Sequence, residues 1–303
     1  MDYNAIIETV YKEILPYIAK GKIADYIPML AKIDPNKFGF AMRTNNGEEY
    51  TYGDSNDNFS VQSISKLLTF VLCIKNDDSL LNKRVKIEPS GNAFNSLVQL
   101  EHENGIPRNP FINAGALVIA DALLSQYSDP ESEILKLAIR LSGNKSINYN
   151  KEVRDSEKET GYRNIALVNF MKSYGNILNS PNRVLDCYFT HCSLEMNCLD
   201  LVRLFSFLSN NGLHHNGEQV LSYRQNKKVN ALLLTCGTYD AVGNFAYKVG
   251  LPAKSGVGGG IVAIIPNEMT LAVWSPGLDT SGNSLAGAKF LEHFTTITGK
   301  SIF

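Results

Sequence analysis

The segment FSVQSISKLLTFVLCI, Phe59–Ile74, decides how this chain folds and where its chemistry lies. From Ile64 onward it is almost wholly apolar, which predicts a helix that is buried on every side. The segment nevertheless carries a lysine, Lys66, and a serine three residues before it, Ser63. If Ser60 caps this helix, Ser63 lies in the first turn and shares a face with Lys66.

The S-x-x-K spacing suggests a serine nucleophile with a lysine base. Burial disfavours an ammonium group and lowers a lysine pKa by up to roughly 3–5 units. A neutral Lys66 can therefore take the proton of the Ser63 hydroxyl. The spacing alone is weak support, because it recurs at Ser142–Lys145 in a segment typical of a solvated turn. A capping serine beside a lysine that extends to solvent is the competing interpretation, and the apolar neighbours of Lys66 weigh against it without excluding it.

A second motif lies near the other end of the chain, in LPAKSGVGGG, Leu251–Gly260. Lys254, Ser255 and Gly256 resemble the K-T-G or K-S-G strand of penicillin-recognising enzymes. The lysine there adds positive potential, and the glycines let a backbone N–H, here that of Val257, approach a reacting carbonyl. A strand and turn with a surface lysine is the competing interpretation. The two motifs together favour one shared site, because their joint occurrence by accident is much rarer than either alone.

Polar groups in the middle of the chain could complete such a site. They occur in NPFINAGA, RDSEKETGYRN and DCYFTHCS. A carboxylate such as Glu157 suits an ammonium group, and amides such as Asn113 and Asn164 suit a carboxylate or an amide. Tyr188 could relay a proton. Each of these residues alone is more often a cap, a turn or a surface residue.

The composition is that of an ordinary globular protein. The 303 residues are 44% hydrophobic and 19% charged, and 29 basic against 30 acidic residues leave a formal charge of −1. No basic stripe or polybasic tail indicates nucleic acid or an anionic membrane as a partner. No run of about 20 apolar residues predicts a membrane span.

The cysteines and histidines argue against a metal site. Five scattered cysteines without a CxxC pattern are typical of a reducing compartment, and five histidines show no ligand spacing. The N-terminal residues follow helical spacing and lack the regions of a signal peptide. We therefore expect a cytoplasmic protein without a metal.

Local signals on either side of the opening segment predict the order of the elements. FGFAMRTNNGEEYTYGD, residues 38–54, predicts a hairpin that turns at Asn46-Gly47. The middle of the chain is mostly helical in pattern. Beyond Ser222 three short strands and a final helix are predicted, within residues 247–256, 258–267, 269–277 and 284–299.

Sequential strands joined by short turns pair antiparallel. We therefore predict an α+β fold, in which an antiparallel sheet is flanked by helices and carries an inserted, mainly helical subdomain. In this prediction residues 1–303 form a single domain, with an α/β subdomain at residues 1–76 and 217–303 and a helical subdomain at residues 77–216. The site is expected in the cleft between the two subdomains.

Eight stretches in one order resemble the serine-dependent glutaminase family. They are GKIADYIPML, VQSISKLL, EPSGNAFNS, NPFINAGA, SEKETGYRN, YFTHCSLEM, CGTYDAVGNFAYKVGLPAKSGVGGG and WSPGLDTSGNS, from about Lys22 to Ser284. The resemblance is to the short bacterial form, without the mitochondrial presequence and ankyrin region of the animal enzymes. It implies a β-lactamase- or penicillin-binding-protein-like fold and the hydrolysis of L-glutamine to L-glutamate and ammonia, with no cofactor.

The resemblance also implies roles for individual residues. Ser63 would be the nucleophile, Lys66 its base, and the N–H groups of Ser63 and Val257 the oxyanion hole. Glu157 would meet the α-ammonium of glutamine and Asn164 its α-carboxylate. The full set of implied substrate contacts adds Asn113, Tyr188 and Tyr239, with Tyr26 and Gln62 lining the pocket and Lys254 supporting it.

Several alternatives stay open from the sequence. Either Tyr188 or Tyr239 could assist proton transfer to the leaving ammonia. A homodimer or homotetramer is implied only by the resemblance. A penicillin-binding or β-lactam-hydrolysing protein would share the scaffold, but YFT at residues 188–190 departs from the S-x-N or Y-x-N element of those usually exported enzymes. A non-catalytic amino-acid-binding module is the third hypothesis, and the presence of both motifs disfavours it.

Overall fold

The computed structural model describes residues 1–76, 79 and 81–303. The predicted subdomain boundary at residue 77 lies outside these residues, so the division into subdomains stays a prediction. The strands are β1 (Gly39–Thr44), β2 (Glu49–Gly53), β3 (Phe59–Ser60), β4 (Asn148–Tyr149), β5 (Leu194–Met196), β6 (Ala253–Ser255), β7 (Gly260–Ile265) and β8 (Met269–Trp274).

The helices occupy both ends and the middle of the chain. They are α1 (Tyr3–Ile14), α2 (Ser65–Asn76), α3 (Leu97–His102), α4 (Asn113–Gln126), α5 (Pro130–Ser142), α6 (Lys151–Thr160), α7 (Tyr162–Ser173), α8 (Pro181–Cys192), α9 (Cys198–Leu204), α10 (Ser206–Ser209), α11 (Tyr223–Cys236), α12 (Val242–Lys248) and α13 (Leu285–Thr298). Every helix among the described residues is too short or too polar to traverse a lipid bilayer.

The main sheet has the strand order β2-β1-β8-β7-β6, and all neighbours pair antiparallel. The predicted hairpin is confirmed, and Gly47 takes a φ of 94°, which the turn after Asn46 requires. The three C-terminal strands are confirmed as well, but the first is shorter than predicted. Tyr247 and Lys248 end helix α12, and the strand begins only at Ala253.

The sheet separates two apolar cores because its side chains alternate between faces. Phe40 and Met42 pack on one face against α1 and α13, where the Phe40 and Phe290 rings lie 4.5 Å apart. Ala41 and Ala272 point to the other face, where α9 packs on β1 and β8. An antiparallel sheet flanked by helices is therefore confirmed.

Helix α2 is enclosed by other helices. It packs against α4, α5 and α8, and its residues from Ser65 to Ile74 are all buried. The sequence therefore correctly predicts a helix that is apolar all round. Such a helix has no polar face to turn toward water, so it lies at the centre of the molecule.

The predicted start of this helix and its cap are wrong. Ser60 belongs to β3, and its hydroxyl donates to the Cys192 carbonyl oxygen at 3.2 Å. The Val61 N–H is bonded to the Leu194 carbonyl at 2.9 Å, which holds the chain extended beside β5. A 3-10 turn over Gln62–Ile64 then leads into α2 at Ser65. Ser60 has the chemistry of a helix cap, but the pairing of β3 with the distant strand β5 keeps it in a strand.

Candidate active site

One cavity brings most of the predicted site residues together. Its volume is about 560 Å³, and α4, α6, α7 and α8 form its helical side. The predicted residues that line it are Tyr26, Gln62, Ser63, Asn113, Glu157, Asn164, Tyr188 and Val257. Three predicted residues do not line the cavity: Lys66, Tyr239 and Lys254. Lys66 contacts Asn113, and Tyr239 contacts Ser63, both of which line it. Lys254 lies against the ring of Tyr239.

The turn that carries Ser63 is held in a strained conformation. Gln62 has a φ of 49°, which a side chain with a Cβ rarely adopts. Its side-chain amide donates to the Ser60 hydroxyl at 3.0 Å and to the Glu157 carboxylate at 2.8 Å. Strain of this kind persists only where surrounding contacts over-determine it. The two bonds fix the residue immediately before Ser63.

The Lys66 amine is enclosed, with 1% of the residue exposed. It donates to the Asn113 side-chain oxygen at 2.6 Å and to the Phe111 carbonyl at 3.3 Å. Burial lowers the Lys66 pKa to about 8, opposed by the charges of Cys192 and Glu157. No hydrogen bond joins Lys66 to the Ser63 hydroxyl within the described residues; catalytic hydrogen bonds of this kind often tighten only in the complex with substrate.

Lys66 also orients two side-chain amides, which are linked to it by consecutive hydrogen bonds. Because the Asn113 oxygen accepts from Lys66, its amide nitrogen is free to donate, and it does so to the Asn164 oxygen at 2.9 Å. The Asn164 oxygen is thereby used as an acceptor. Within the described part of the chain its amide nitrogen has no hydrogen-bond partner, so it can donate at the cavity wall to a negatively charged or carbonyl group.

Glu157 supplies an acidic group to the cavity wall. The residue is buried, and burial raises the pKa of its carboxyl to about 7, although the bond from Gln62 and the Lys66 charge lower it. One carboxylate oxygen is taken by Gln62. A cation that enters the cavity would restore the charged form of Glu157, because an opposite charge lowers a carboxyl pKa.

The K-S-G turn packs directly on the turn that carries Ser63. A Cβ on Gly256 would lie 2.4 Å from the Val61 carbonyl oxygen, and one on Gly258 would lie 2.1 Å from the Ser60 carbonyl oxygen. No side chain fits at either contact. The glycines therefore allow the backbone of Val257 to reach the cavity wall beside Ser63.

Tyr239 contacts both Ser63 and Val257. It too has a strained φ, 59°. Burial raises the pKa of its hydroxyl, while bonding to the Ser63 side chain and to the Val257 backbone lowers it. Its hydroxyl thus lies beside both groups, and it also donates to the Ser255 carbonyl at 3.3 Å.

Tyr188 lies beside Lys66, and Lys254 lies beside Tyr239. The Lys66 amine lies 5.8 Å from the centre of the Tyr188 ring, whose hydroxyl pKa is raised by burial. Lys254 is fully buried, donates to the Gly237 and Ser255 carbonyls, and lies 4.8 Å from the Tyr239 ring centre. Burial and the charge of Lys66 lower the Lys254 pKa well below its ordinary value.

Sequence reasoning missed part of the cavity wall and a polar pair behind it. Phe94, Asn95 and Arg163 also line the cavity, and the Phe94 ring lies 4.8 Å from the Tyr239 ring. The segment EPSGNAFNS was the only available signal for the first two. Behind the wall, Ser65 is hydrogen-bonded to His191. Among the described residues no group of three His, Cys, Asp or Glu side chains could hold a metal ion.

Comparison with known proteins gives consistent matches over the full length. The sequence model of the family described as Glutaminase matches residues 21–303. The chain is 52% identical over 304 residues to a glutaminase of Ralstonia nicotianae, with 100% of both chains covered. It is 51% identical over 305 residues to a glutaminase of Aliarcobacter butzleri, again with 100% of both covered.

A solved structure matches in three dimensions as well. It is the covalent complex of a Bacillus subtilis glutaminase with 5-oxo-L-norleucine, formed by reaction of that protein with 6-diazo-5-oxo-L-norleucine. The TM-score is 0.85 at 31% sequence identity, and 98% of each chain is covered.

The contact between the two turns can be tested by adding one methyl group. Gly258→Ala would force the Cβ against the Ser60 carbonyl, so we expect the free energy of unfolding to fall by about 1–3 kcal/mol. Gly243→Ala in α12 is the matched control, because no atom of the described residues lies within 4 Å of its Cβ position. Urea unfolding measures both variants. Equal stability of Gly258→Ala and Gly243→Ala would contradict the close approach.

Proposed function

The chain belongs to the glutaminase family, and from this we propose that it is an L-glutamine amidohydrolase that acts in the cytoplasm. The reaction converts L-glutamine to L-glutamate and ammonia through a glutamyl-serine intermediate, with a lysine as general base. One observation carries the proposal. Ser63 and Val257 line one cavity, the Tyr239 hydroxyl lies beside both of them, and the buried Lys66 amine is hydrogen-bonded to Asn113 of the same cavity.

The first step is the attack of Ser63 on the side-chain amide of glutamine. Lys66, with a pKa lowered to about 8, exists partly as a neutral amine near neutral pH and can accept the serine proton. The Ser63 oxygen bonds to the amide carbon and the carbonyl π-electrons move to its oxygen. The covalent complex of the Bacillus subtilis relative agrees with a covalent route.

The oxyanion formed in this step needs fixed donors. The backbone N–H groups of Ser63 and Val257 are the proposed donors, because the K-S-G turn packs against the turn that carries Ser63. Losing one donor of this kind costs roughly 10²–10³ in rate. Collapse of the intermediate breaks the C–N bond, ammonia leaves with a proton, and water then hydrolyses the ester with Lys66 again as base.

Two side chains on the cavity wall suit the two charges of an α-amino acid. Glu157 is placed to bind the α-ammonium group, and the free amide donor of Asn164 is placed to bind the α-carboxylate. Asn113, Gln62 and Tyr26 complete the proposed contacts. Tyr26 is 54% exposed and therefore lies at the mouth of the cavity rather than at its floor.

The two tyrosines differ in what they approach. Tyr239 lies beside Ser63 and Val257, whereas Tyr188 lies beside Lys66. Tyr239 is therefore better placed to pass a proton to the leaving ammonia, and Tyr188 to shield and orient the base. Lys254 supports Tyr239 by lying against its ring.

We also propose a homodimer or homotetramer that works without metal or organic cofactor. Light scattering would test the oligomeric state, and chelator treatment would test the independence from metal.

The second S-x-x-K pair provides a matched control for the first. Ser142 ends α5, and Lys145 lies exposed beyond it. We expect Ser63→Ala to reduce glutamine hydrolysis to background and Lys66→Ala to reduce kcat by about 10²–10⁴-fold. Ser142→Ala and Lys145→Ala should stay within about twofold of the original kcat, since neither touches the cavity.

Release of ammonia from L-glutamine is the measurement, and circular dichroism establishes that each variant is folded. A folded Ser63→Ala variant with the original activity would remove the nucleophile assignment. Equal losses at Lys66 and Lys145 would remove the base assignment.

The pH dependence of kcat/KM reports the two shifted groups. The neutral form of Lys66 predominates above its pKa of about 8 and the charged form of Glu157 above about 7. We therefore expect kcat/KM to rise with pH from 6 and to level off near about 9. Glu157→Gln should raise KM and remove the lower inflection. A rise centred near the ordinary lysine value of 10.5 would contradict a base buried in this way.

A further inference from the structure

Two buried polar side chains that the proposed reaction does not use lie directly behind the turn that carries Ser63. Ser65 and His191 are 1% and 0% exposed. The Ser65 hydroxyl oxygen lies 2.6 Å from the Gln62 carbonyl oxygen and 2.8 Å from His191 Nδ1. The His191 ring also meets the edge of the Tyr188 ring, with centroids 5.2 Å apart.

The direction of each proton follows from the chemistry of the three groups. A carbonyl oxygen only accepts, so Ser65 donates its single hydroxyl proton to Gln62. The Ser65 oxygen must then accept from His191, which places the imidazole proton on Nδ1. Burial and the nearby Lys66 lower the His191 pKa to about 3, so this imidazole is neutral and carries only that proton. The order of donation is His191 to Ser65 to Gln62.

This chain of bonds acts on the peptide group that ends in the Ser63 N–H. The Gln62 carbonyl and the Ser63 N–H belong to one planar trans unit and point in opposite directions. Holding the carbonyl inward, with help from the Ser65 backbone N–H, therefore directs the Ser63 N–H outward. Gln62 needs such support because its φ of 49° is unfavourable.

We propose that His191 is a positioning residue, which acts through Ser65 to aim the Ser63 backbone N–H at the oxyanion. This inference rests on the proposed function, because it assumes that Ser63 is the nucleophile and a donor of the oxyanion hole. An oxyanion donor contributes mainly in the transition state. Loss of its alignment therefore lowers kcat and leaves KM nearly unchanged.

The experiment compares the kinetics of four variants of the full chain. His191→Leu keeps the approximate volume but removes the donor, and we expect kcat to fall about 10-fold with KM within about twofold. His191→Asn keeps an amide donor near the Nδ1 position and should recover most of kcat. His214→Leu is the control for loss of a buried histidine: His214 is 1% exposed, and its Nε2 lies 2.9 Å from the Arg203 carbonyl, away from the cavity. Ser65→Ala should resemble His191→Leu.

Each outcome decides for or against the inference. A full kcat in His191→Leu, a parallel loss in His214→Leu, or no recovery in His191→Asn would overturn it. If His191→Leu does not fold, Ser65→Ala decides: a full kcat there overturns the inference too. Ser63→Ala in the same assay distinguishes failure of the His191 inference from failure of the proposed function. Turnover in that variant would overturn the assignment of Ser63 as nucleophile, whatever the histidine variants show.

Discussion

The enclosure of one amine at the centre of the molecule is the constraint on which the rest depends. Helix α2 is apolar on nearly all sides, so it needs other helices packed around it. The same surroundings leave Lys66 without water and lower its pKa to about 8. The packing that forms the fold therefore also lowers the pKa of the proposed base, Lys66, and keeps its amine partly neutral.

Close backbone contacts are the second requirement of the site. Gly256 and Gly258 admit the carbonyl oxygens of Val61 and Ser60 at distances that no Cβ tolerates. Gln62 and Tyr239 both take left-handed backbone conformations on either side of this contact. Gln62 is held by bonds to Ser60 and Glu157, and Tyr239 by a bond to Ser255, which is how a folded protein sustains unfavourable conformations at a reactive centre. We interpret the strain as the cost of fixing donors before substrate arrives.

Much of this architecture could be predicted from the sequence, because its signals are local or cumulative. The Asn46-Gly47 hairpin, the all-apolar helix α2 and the antiparallel C-terminal strands follow from turn chemistry and periodicity. The similarity of many ordered segments correctly indicated the glutaminase family and its β-lactamase-like fold. The S-x-x-K spacing by itself could not distinguish Ser63–Lys66 from Ser142–Lys145, since both serines are buried and only the lysines differ, Lys66 being buried and Lys145 exposed.

The features that were missed are set by contacts between distant parts of the chain. Ser60 has the chemistry of a cap, but pairing of its neighbour with Leu194 keeps it in a strand. The Ser65–His191 bond joins residues 126 apart, so no local pattern reveals it. The wall residues Phe94 and Arg163 reach the cavity only because their segments fold over it.

The most direct test of the account is to identify the residue that forms a covalent bond with a reactive analogue of glutamine. The purified protein would be treated with 6-diazo-5-oxo-L-norleucine and its peptides analysed by mass spectrometry. The account predicts a single adduct on the peptide that contains Ser63, with slower labelling when L-glutamate is present in excess. An adduct on any other residue, or an unmodified protein that still hydrolyses glutamine, would contradict it.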